Sequence, residues 1–566
     1  YPIQIQDFNC RSIHLIRCRD SLTSQLTFLA FIPDSYQIPA FSLYAYSRKS
    51  IYNYYFLTTS QKNALYAYEN NKLVINAGKV VGGSSAVNYL LYYRGNRRDY
   101  DRWAALGNTG WDYDTVLPYF KKAENYEGKL SAEDLPYHGL GGPLSVSNSI
   151  WFDLSKYVFA AAKEMGFEKI DPNAKKRIGY FLPDYTIKKG ERHSAAEAYL
   201  KPTLSRPNLS LQTESQVIRI LFNNKNRAIG VRYMQGGRVK QAFARKEVII
   251  SAGVINSPKL LMLSGIGPKE HLRSVGIKPR VDVPGVGKNF QDHMTLHGLN
   301  WLIKMGPNEV PAMSFNTFLS PQTYKDYKEK RTGRLTNPLA LVGVIQRKLG
   351  KEGDPEMSDL IYHFFQAPYW TDRGILHARE RLFKDEVYQD YYAPYEGRDG
   401  FDVQIMLQVP RSRGAVTLRS KSPFEPPNVD PNYFEHPDDV EDLLKSIEFA
   451  LEVGRTRALR EGVNATFIDR PLIGCKHLPW GSDEYWRCFI RAMSTTGHHF
   501  CCTCKMAPAT DPMAVVSPRL RVHGVDGLRV VDLSIVPIVT SATTNAVAIM
   551  IGERAADFIK EDHGML

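Results

Sequence analysis

The segment GKVVGGSSAVNYLLYYRGNRRDY at residues 78–100 sets the reading of the whole chain. Its first half places Gly78, Gly82 and Gly83 beside Ser84 and Ser85, and Asn88 opens the next stretch of chain. Glycine lets a backbone approach a ligand closely and adopts positive φ at little cost. Successive amides next to the two serines can form an anion-cradling nest. A glycine-rich turn with no ligand looks the same, so the stretch is read with its neighbours.

Upstream, the expected companion is missing. The 77 residues before Gly78 contain no G-x-G-x-x-G, the turn that seats a dinucleotide pyrophosphate between a strand and a helix. Residues 1–37 hold no glycine and show no sustained period of 2 or 3.6. They are read as an atypical N-terminal segment: a divergent arm, a misread exon or a replaced terminus. The chain starts with Tyr1 rather than Met and is read as a fragment or a processed product. LTFLAFI (26–32) is too short and too late for a signal h-region.

Composition narrows the class. A length of 566 residues supports two to four domain-sized units, and 43% hydrophobic with 23% charged residues is ordinary for a globular protein. The net charge of +13 comes from 72 basic and 59 acidic residues, intermixed as in KDYKEKRTGR at 325–334. A nucleic-acid groove needs basic residues clustered on one face, so no nucleic-acid partner is expected. No run approaches the ~18 apolar residues of a membrane span, so none is expected either. Seven cysteines are too few for a disulfide framework. Cys475 and Cys488 can pair in an oxidising compartment, but the count leaves the compartment open.

Downstream, DRWAALG reads as a loop, followed by an amphipathic helix with Tyr113, Val116, Leu117 and Phe120 at helical spacing. Residues 208–253 alternate between turn signals and read as a β-meander ending in the buried strand EVIISAG. NSPKLLMLSGIG then reads as a helix capped by Asn256 or Ser257, with Pro258 in the first turn and a stop near Gly265. Residues 290–410 are weakly patterned, and 411–425 read as a strand and a proline-rich turn. HPDDVEDLLKSIEFALEVGRTRAL (436–459) reads as a helix capped by Asp438 or Asp439. GLRVVDLSIVP is a strand leading to a turn, and 543–562 form a final helix.

Three further motifs carry chemistry. SAGVINSPKLLMLSGIGP (251–268) combines a buried strand, a glycine turn and a helix N-terminus, a geometry suited to anions; a plain strand–helix connection has the same pattern. GVGKNFQDH (285–293) precedes no clean βαβ unit and is read as a structural turn. STTGHHFCCTCKMAP (494–508) concentrates His and Cys, but H-H-x-C-C-x-C is not a zinc spacing. No metal is expected there, and one His poised as a general base is the better reading. At the C-terminus, Asp532 ends a buried strand, and Asn545 stands where a helix begins, the position of an N-cap.

In order, these motifs resemble the glucose–methanol–choline (GMC) oxidoreductase family, within it the FAD, quinone-type glucose dehydrogenase branch. The resemblance runs from about Ile38 to Ile559, carried by 78–88, by INSPKLLMLSGIG (255–267), by RLRVHGVDGLRVVDLSIVP and by TNAVAIMIGERAADFI. It implies an α/β fold: a GMC-type FAD-binding domain with an incomplete Rossmann-like start, plus an α+β substrate domain with an antiparallel sheet. The expected division is 1–37 atypical, 38–289 FAD-binding, 290–500 mainly substrate-binding, and 501–566 a return to the FAD-binding domain. The implied cofactor is FAD, the substrate a small alcohol or sugar, the electron acceptor quinone or oxygen, and the setting extracellular.

The resemblance also assigns residues. His499 would take the hydroxyl proton as hydride leaves the carbinol carbon for flavin N5, and a base near its ordinary pKa of ~6.5 suits neutral pH. Thr503–Met506 would anchor it. Asn545 matches a second active-site position that holds the substrate oxygen. Val80, Gly82, Gly83, Ser84 and Asn88 match the segment along the flavin and pyrophosphate, Val217 a backbone contact to adenine, and Asp532 a residue near the ribityl and pyrophosphate. The departures face the same cofactor: Ala77 where Arg is common, and Cys502 and Ala542 where the family has glycine. If position 502 needs φ > 0, its β-carbon strains the loop by ~1–2 kcal/mol. The alternative reading is a catalytically impaired relative that kept the fold and lost the flavin.

Overall fold

The computed structural model describes residues 34–42, 50–148, 152–307, 309, 320–338, 340–350, 356–374 and 381–565, with backbone alone at 24–26 and 34. Most of the atypical segment 1–37, and the LTFLAFI stretch beyond Leu26, lie outside these residues.

The larger of two cores is built on a seven-stranded antiparallel sheet. Its order is Thr466–Phe467, Met294–Leu302, Gly400–Leu407, Leu360–Phe365, Leu341–Arg347 and Gly179–Phe181, with Ser494–Thr496 also paired to Met294–Leu302. Successive side chains of a strand point to opposite faces, and here the two faces have different uses. Leu296, Tyr362, Phe364, Val403 and Ile405 enter the apolar core, covered by helices Asp153–Glu164, Asp438–Arg455 and Asp483–Met493. The alternate residues Thr295, His297, His363, Phe365, Gln404 and Met406 line a cavity. Both faces are buried, which is why residues 290–410 lack the alternation of a half-exposed sheet.

The second core joins segments far apart in sequence. The meander is present as Ser215–Phe222, Ala228–Gln235 and Arg238–Phe243. Val248–Ile250 pairs in parallel with Leu528–Val530, and Ser24–Leu26 pairs in parallel with Ser210–Gln212. Helices Gly253–Leu263 and Asn545–Asp562 pack on this half. The α/β architecture with an antiparallel second sheet is therefore present. Cys475 and Cys488, left open by the sequence, are joined by a disulfide.

Three local expectations change. DRWAALG lies largely in a helix, Arg97–Ala105, started by a capping box: the Asn96 side chain accepts from Arg98 N, and Asp99 returns to Asn96 N. The helix expected to start at Asn256 or Ser257 begins at Gly253, with Pro258 inside it, because the Asp532 carboxylate accepts from Gly253 N at 2.9 Å. Asp438 and Asp439 lie inside the first turn of Asp438–Arg455 and do not cap it. Asp439 accepts instead from Arg411 N, Ser412 N and Ser412 Oγ.

The last helix is fastened at its far end by Arg529, whose side chain is 2% exposed. Its Nε donates to Glu247 at 2.5 Å, Nη1 donates to the Arg519 carbonyl at 2.7 Å, and Nη2 pairs with Asp562. Removing one partner of a buried pair leaves the others desolvated and uncompensated. Arg529→Met is therefore expected to cost about 3–5 kcal/mol of stability, read by denaturant unfolding; a loss under 1 kcal/mol would contradict this account.

Candidate active site

A cavity of about 1630 Å³ runs between the two halves, beyond the roughly 300–1,000 Å³ of a typical small-ligand pocket. Val217, Glu247 and Ile250 line it, as do Val80, Gly82, Gly83, Ser84 and Asn88, Asp532, His499 and Asn545. The fold thus brings all nine residues singled out from the sequence onto one continuous wall.

The glycine turn is shaped from within. Gly82 and Gly83 have φ of +95° and +58°, and a β-carbon on Gly78 would fall 2.3 Å from the Gly83 carbonyl carbon. Ser84 Oγ accepts from Gly78 N at 3.1 Å, and Ser85 Oγ donates to Gly82 O at 2.7 Å while accepting from Ala195 N. Both hydroxyls hold the turn, and its glycines reach the cavity alongside Val80 and Ser84. Asn88 is steadied by Arg192, which donates to its Oδ1 at 3.0 Å. Val217 stands at a bulge in its strand.

Asp532 has structural partners on both oxygens. Oδ2 accepts from Gly253 N and from Ser257 Oγ at 2.5 Å, and Oδ1 accepts from Ser534 N. The carboxylate therefore ties the start of Gly253–Leu263 to the strand end. Asn545 is the first residue of its helix, and the N-cap position belongs to Thr544. The Asn545 side chain makes no hydrogen bond among the described residues, so its amide is presented to the cavity.

The environment of His499 fixes its tautomer. His293 Nε2 lies 3.1 Å from the Gln408 carbonyl, which only accepts, so Nε2 carries the proton. His293 Nδ1 is then an acceptor, 3.0 Å from His499 Nδ1. His499 must donate from Nδ1, and its Nε2 keeps a free lone pair. The backbone is held as well: Asp292 accepts from His499 N at 2.9 Å, from Tyr433 Oη at 2.6 Å and from Thr496 Oγ1. The anchor expected at Thr503–Met506 runs beside 533–535, with Cys502 N, Cys504 N and Met506 N donating to the Leu533, Ser534 and Ile535 carbonyls.

One expectation about this base is overturned. Burial, then the neighbouring His293, His498 and His363, hold the His499 pKa well below 6.5. An imidazolium at this half-buried position would face three other histidine rings, so the neutral form persists at neutral pH.

The departures have unequal consequences. Cys502 has φ of +84°, the left-handed region, so the condition for strain at that position is met; it is bonded to Cys501. Ala542 is not in that region and packs with Tyr93, Phe181 and Met406, so it strains nothing. Ala77 pairs with Tyr54 on the cavity wall. No cluster of three or more His, Cys, Asp or Glu side chains suited to a metal occurs among the described residues. Sequence reasoning misses Asp292 and His293, which end the GVGKNFQDH segment read as a turn. The signal is an adjacent acid and histidine entering a strand.

Comparison with known proteins gives one answer. Family models described as GMC oxidoreductase match residues 41–295 and 410–552. Glucose dehydrogenase [FAD, quinone] of Drosophila melanogaster is 36% identical, over 86% of this chain and 75% of its own length. Mitochondrial choline dehydrogenase of Homo sapiens is 37% identical, over 85% and 75%. A solved FAD-dependent oxidoreductase from Chaetomium thermophilum superposes with a TM-score of 0.79 at 26% identity, over 96% of this chain and 95% of that one.

The Asp292 carboxylate gathers three donors, and the hydroxyls of Tyr433 and Thr496 are buried. Asp292→Ala is expected to lower stability by about 3 kcal/mol or more, since each stranded buried donor costs ~1–3 kcal/mol. Urea unfolding of the variant beside the parent chain checks this, and an unchanged midpoint would refute it.

Proposed function

Because this chain belongs to the GMC oxidoreductase family, we propose that it is an FAD-dependent oxidoreductase that oxidises the CH–OH group of a small alcohol or sugar, with quinone or oxygen as electron acceptor. The observation that carries the proposal is the free Nε2 of His499, held by the His293 hydrogen bond on the wall that also carries the unpartnered amide of Asn545.

The residues fit FAD. Gly82 and Gly83 turn through positive φ on the cavity wall, Gly83 with open space where a side chain would stand, and Asn545 makes no hydrogen bond among the described residues. Val80, Gly82, Gly83, Ser84 and Asn88 would hold the flavin and pyrophosphate, Val217 the adenine, and Asp532 would steady the helix start beside them. FAD, when bound, supplies an acceptor for the hydride of the carbinol carbon. The protein's part is to place the alcohol and take its proton. Asn545 orients the alcohol oxygen, and His499 Nε2 accepts the hydroxyl proton. A base with a depressed pKa is unprotonated at neutral pH, and the transfer is favoured as the C–H bond breaks and the hydroxyl grows acidic. The neighbouring rings stay neutral too: burial holds His293 at about 4 and His363 at about 3.

Two outcomes are expected. Calorimetric titration of the full chain with FAD should give micromolar or tighter binding despite the missing G-x-G-x-x-G, and absence of binding would reject the assignment in favour of an impaired relative. In the loaded protein, His499→Ala should slow flavin reduction by alcohol about 10²–10⁴-fold. The protonated ring is the inactive form and its pKa lies below 6.5, so the parent rate should stay level from about pH 8 down to about 6.5 and fall only in more acid solution. A limb centred at or above about pH 6.5 would contradict the assigned base.

A further inference from the structure

The cavity also contains a cation that proton transfer does not require. Arg381 lines it together with Thr496, His498 and His499. Its Nη1 donates to Tyr369 Oη at 3.2 Å, and the phenols of Tyr89 and Tyr68 stand beside it. The guanidinium makes no ion pair among the described residues. Asp402 lies behind two intervening side chains: Tyr369 Oη is 3.0 Å from His297 Nδ1, and that nitrogen is 4.0 Å from Asp402 Oδ2. Asp402 Oδ2 is itself engaged by the Gln404 amide at 2.9 Å. The histidines on this wall add no negative charge, and His498 is held neutral by burial and by Arg381 itself.

A guanidinium half-buried in a cavity wall, with no carboxylate partner among the described residues, carries an uncompensated charge. Its planar fork of donors matches a carboxylate in a bidentate geometry. Phenol oxygens satisfy some of its N–H groups but none of its charge. Resting on the reading of His499 as the base of an alcohol-oxidising site, we propose that the alcohol carries a carboxylate, which Arg381 binds with Tyr89 while the hydroxyl-bearing carbon is presented to His499. The carboxylate is unchanged by the reaction; the carbinol becomes a carbonyl, so a hydroxy acid yields an oxo acid. Arg381 is then a specificity-determining residue, and an alcohol bearing a quaternary ammonium group is repelled from the same place.

The test pairs each hydroxy acid with its neutral amide: lactate with lactamide, and 3-hydroxybutyrate with 3-hydroxybutyramide. In the FAD-loaded full chain, kcat/KM for flavin reduction should favour the acid of at least one pair by about 10–100-fold. Arg381→Met should bring that ratio near unity, with KM for the acid carrying the change, and Arg381→Lys should retain part of it. Equal use of acid and amide by the parent chain overturns the proposal, as does an Arg381→Met variant that weakens both equally. Should Arg381→Met fail to fold, the parent ratio and Arg381→Lys still decide. Should no alcohol reduce the flavin, the functional reading fails separately, and calorimetric titration with propionate against propionamide decides the anion site. Tighter propionate binding that weakens in Arg381→Lys supports it, and equal or absent binding overturns it.

Discussion

Carboxylates that accept hydrogen bonds from backbone segments elsewhere in the chain hold this molecule together. Asp292 accepts from His499 N, Asp532 from Gly253 N, Asp99 from Ser541 N, and Asp439 from Arg411 N and Ser412 N. Each is tied to a segment remote in sequence, and the first three reach the cavity wall or its immediate flank. A carboxylate satisfied by several N–H and O–H donors substitutes for the water it lost. The arrangement suits a chain whose halves interleave. The turn at Asp532 after strand Leu528–Val530, the turn before Asn545 and the loop bearing His499 must converge, and no local signal could bring them together.

The same fact marks how far the sequence can be read. Periodicity locates the meander and the helices at 113–123 and 543–562, and the motifs, with Val217 from the meander and His499 from 494–508, supply nine residues that line one cavity. The start of Gly253–Leu263 escapes a local reading because its cap comes from Asp532, 279 residues away. The helix at 97–105 is missed because its capping box needs Asn96 and Asp99 read together rather than the apolar pattern of DRWAALG. Asp292 and His293 are passed over because their partners lie 115 to 207 positions further on. Local chemistry is legible in a sequence; a hydrogen bond that closes a long loop is not.

The departures from the family pattern sort themselves by backbone geometry. Ala542 occupies an ordinary conformation within a packed cluster, so its β-carbon is absorbed. Cys502 carries a side chain where φ is positive, yet its amide still bonds to the Leu533 carbonyl and the strand-like run through Met506 is intact. The 77 residues before Gly78 contain no glycine loop whose amides could meet a pyrophosphate. The base, the amide and the glycine turn at 78–83 are all assembled without one.

The antiparallel sheet has one face in the core and the other toward the cavity. Because its residues alternate, exchanging Thr295, His297, His363, Phe365, Gln404 or Met406 alters what the cavity accepts, while Leu296, Tyr362, Phe364, Val403 and Ile405 go on filling the apolar layer. Such a sheet lets mutation explore new substrates along one set of positions while a neighbouring set preserves the fold. Diversification of substrate is thereby uncoupled from folding: the architecture can be inherited intact by descendants that oxidise different molecules.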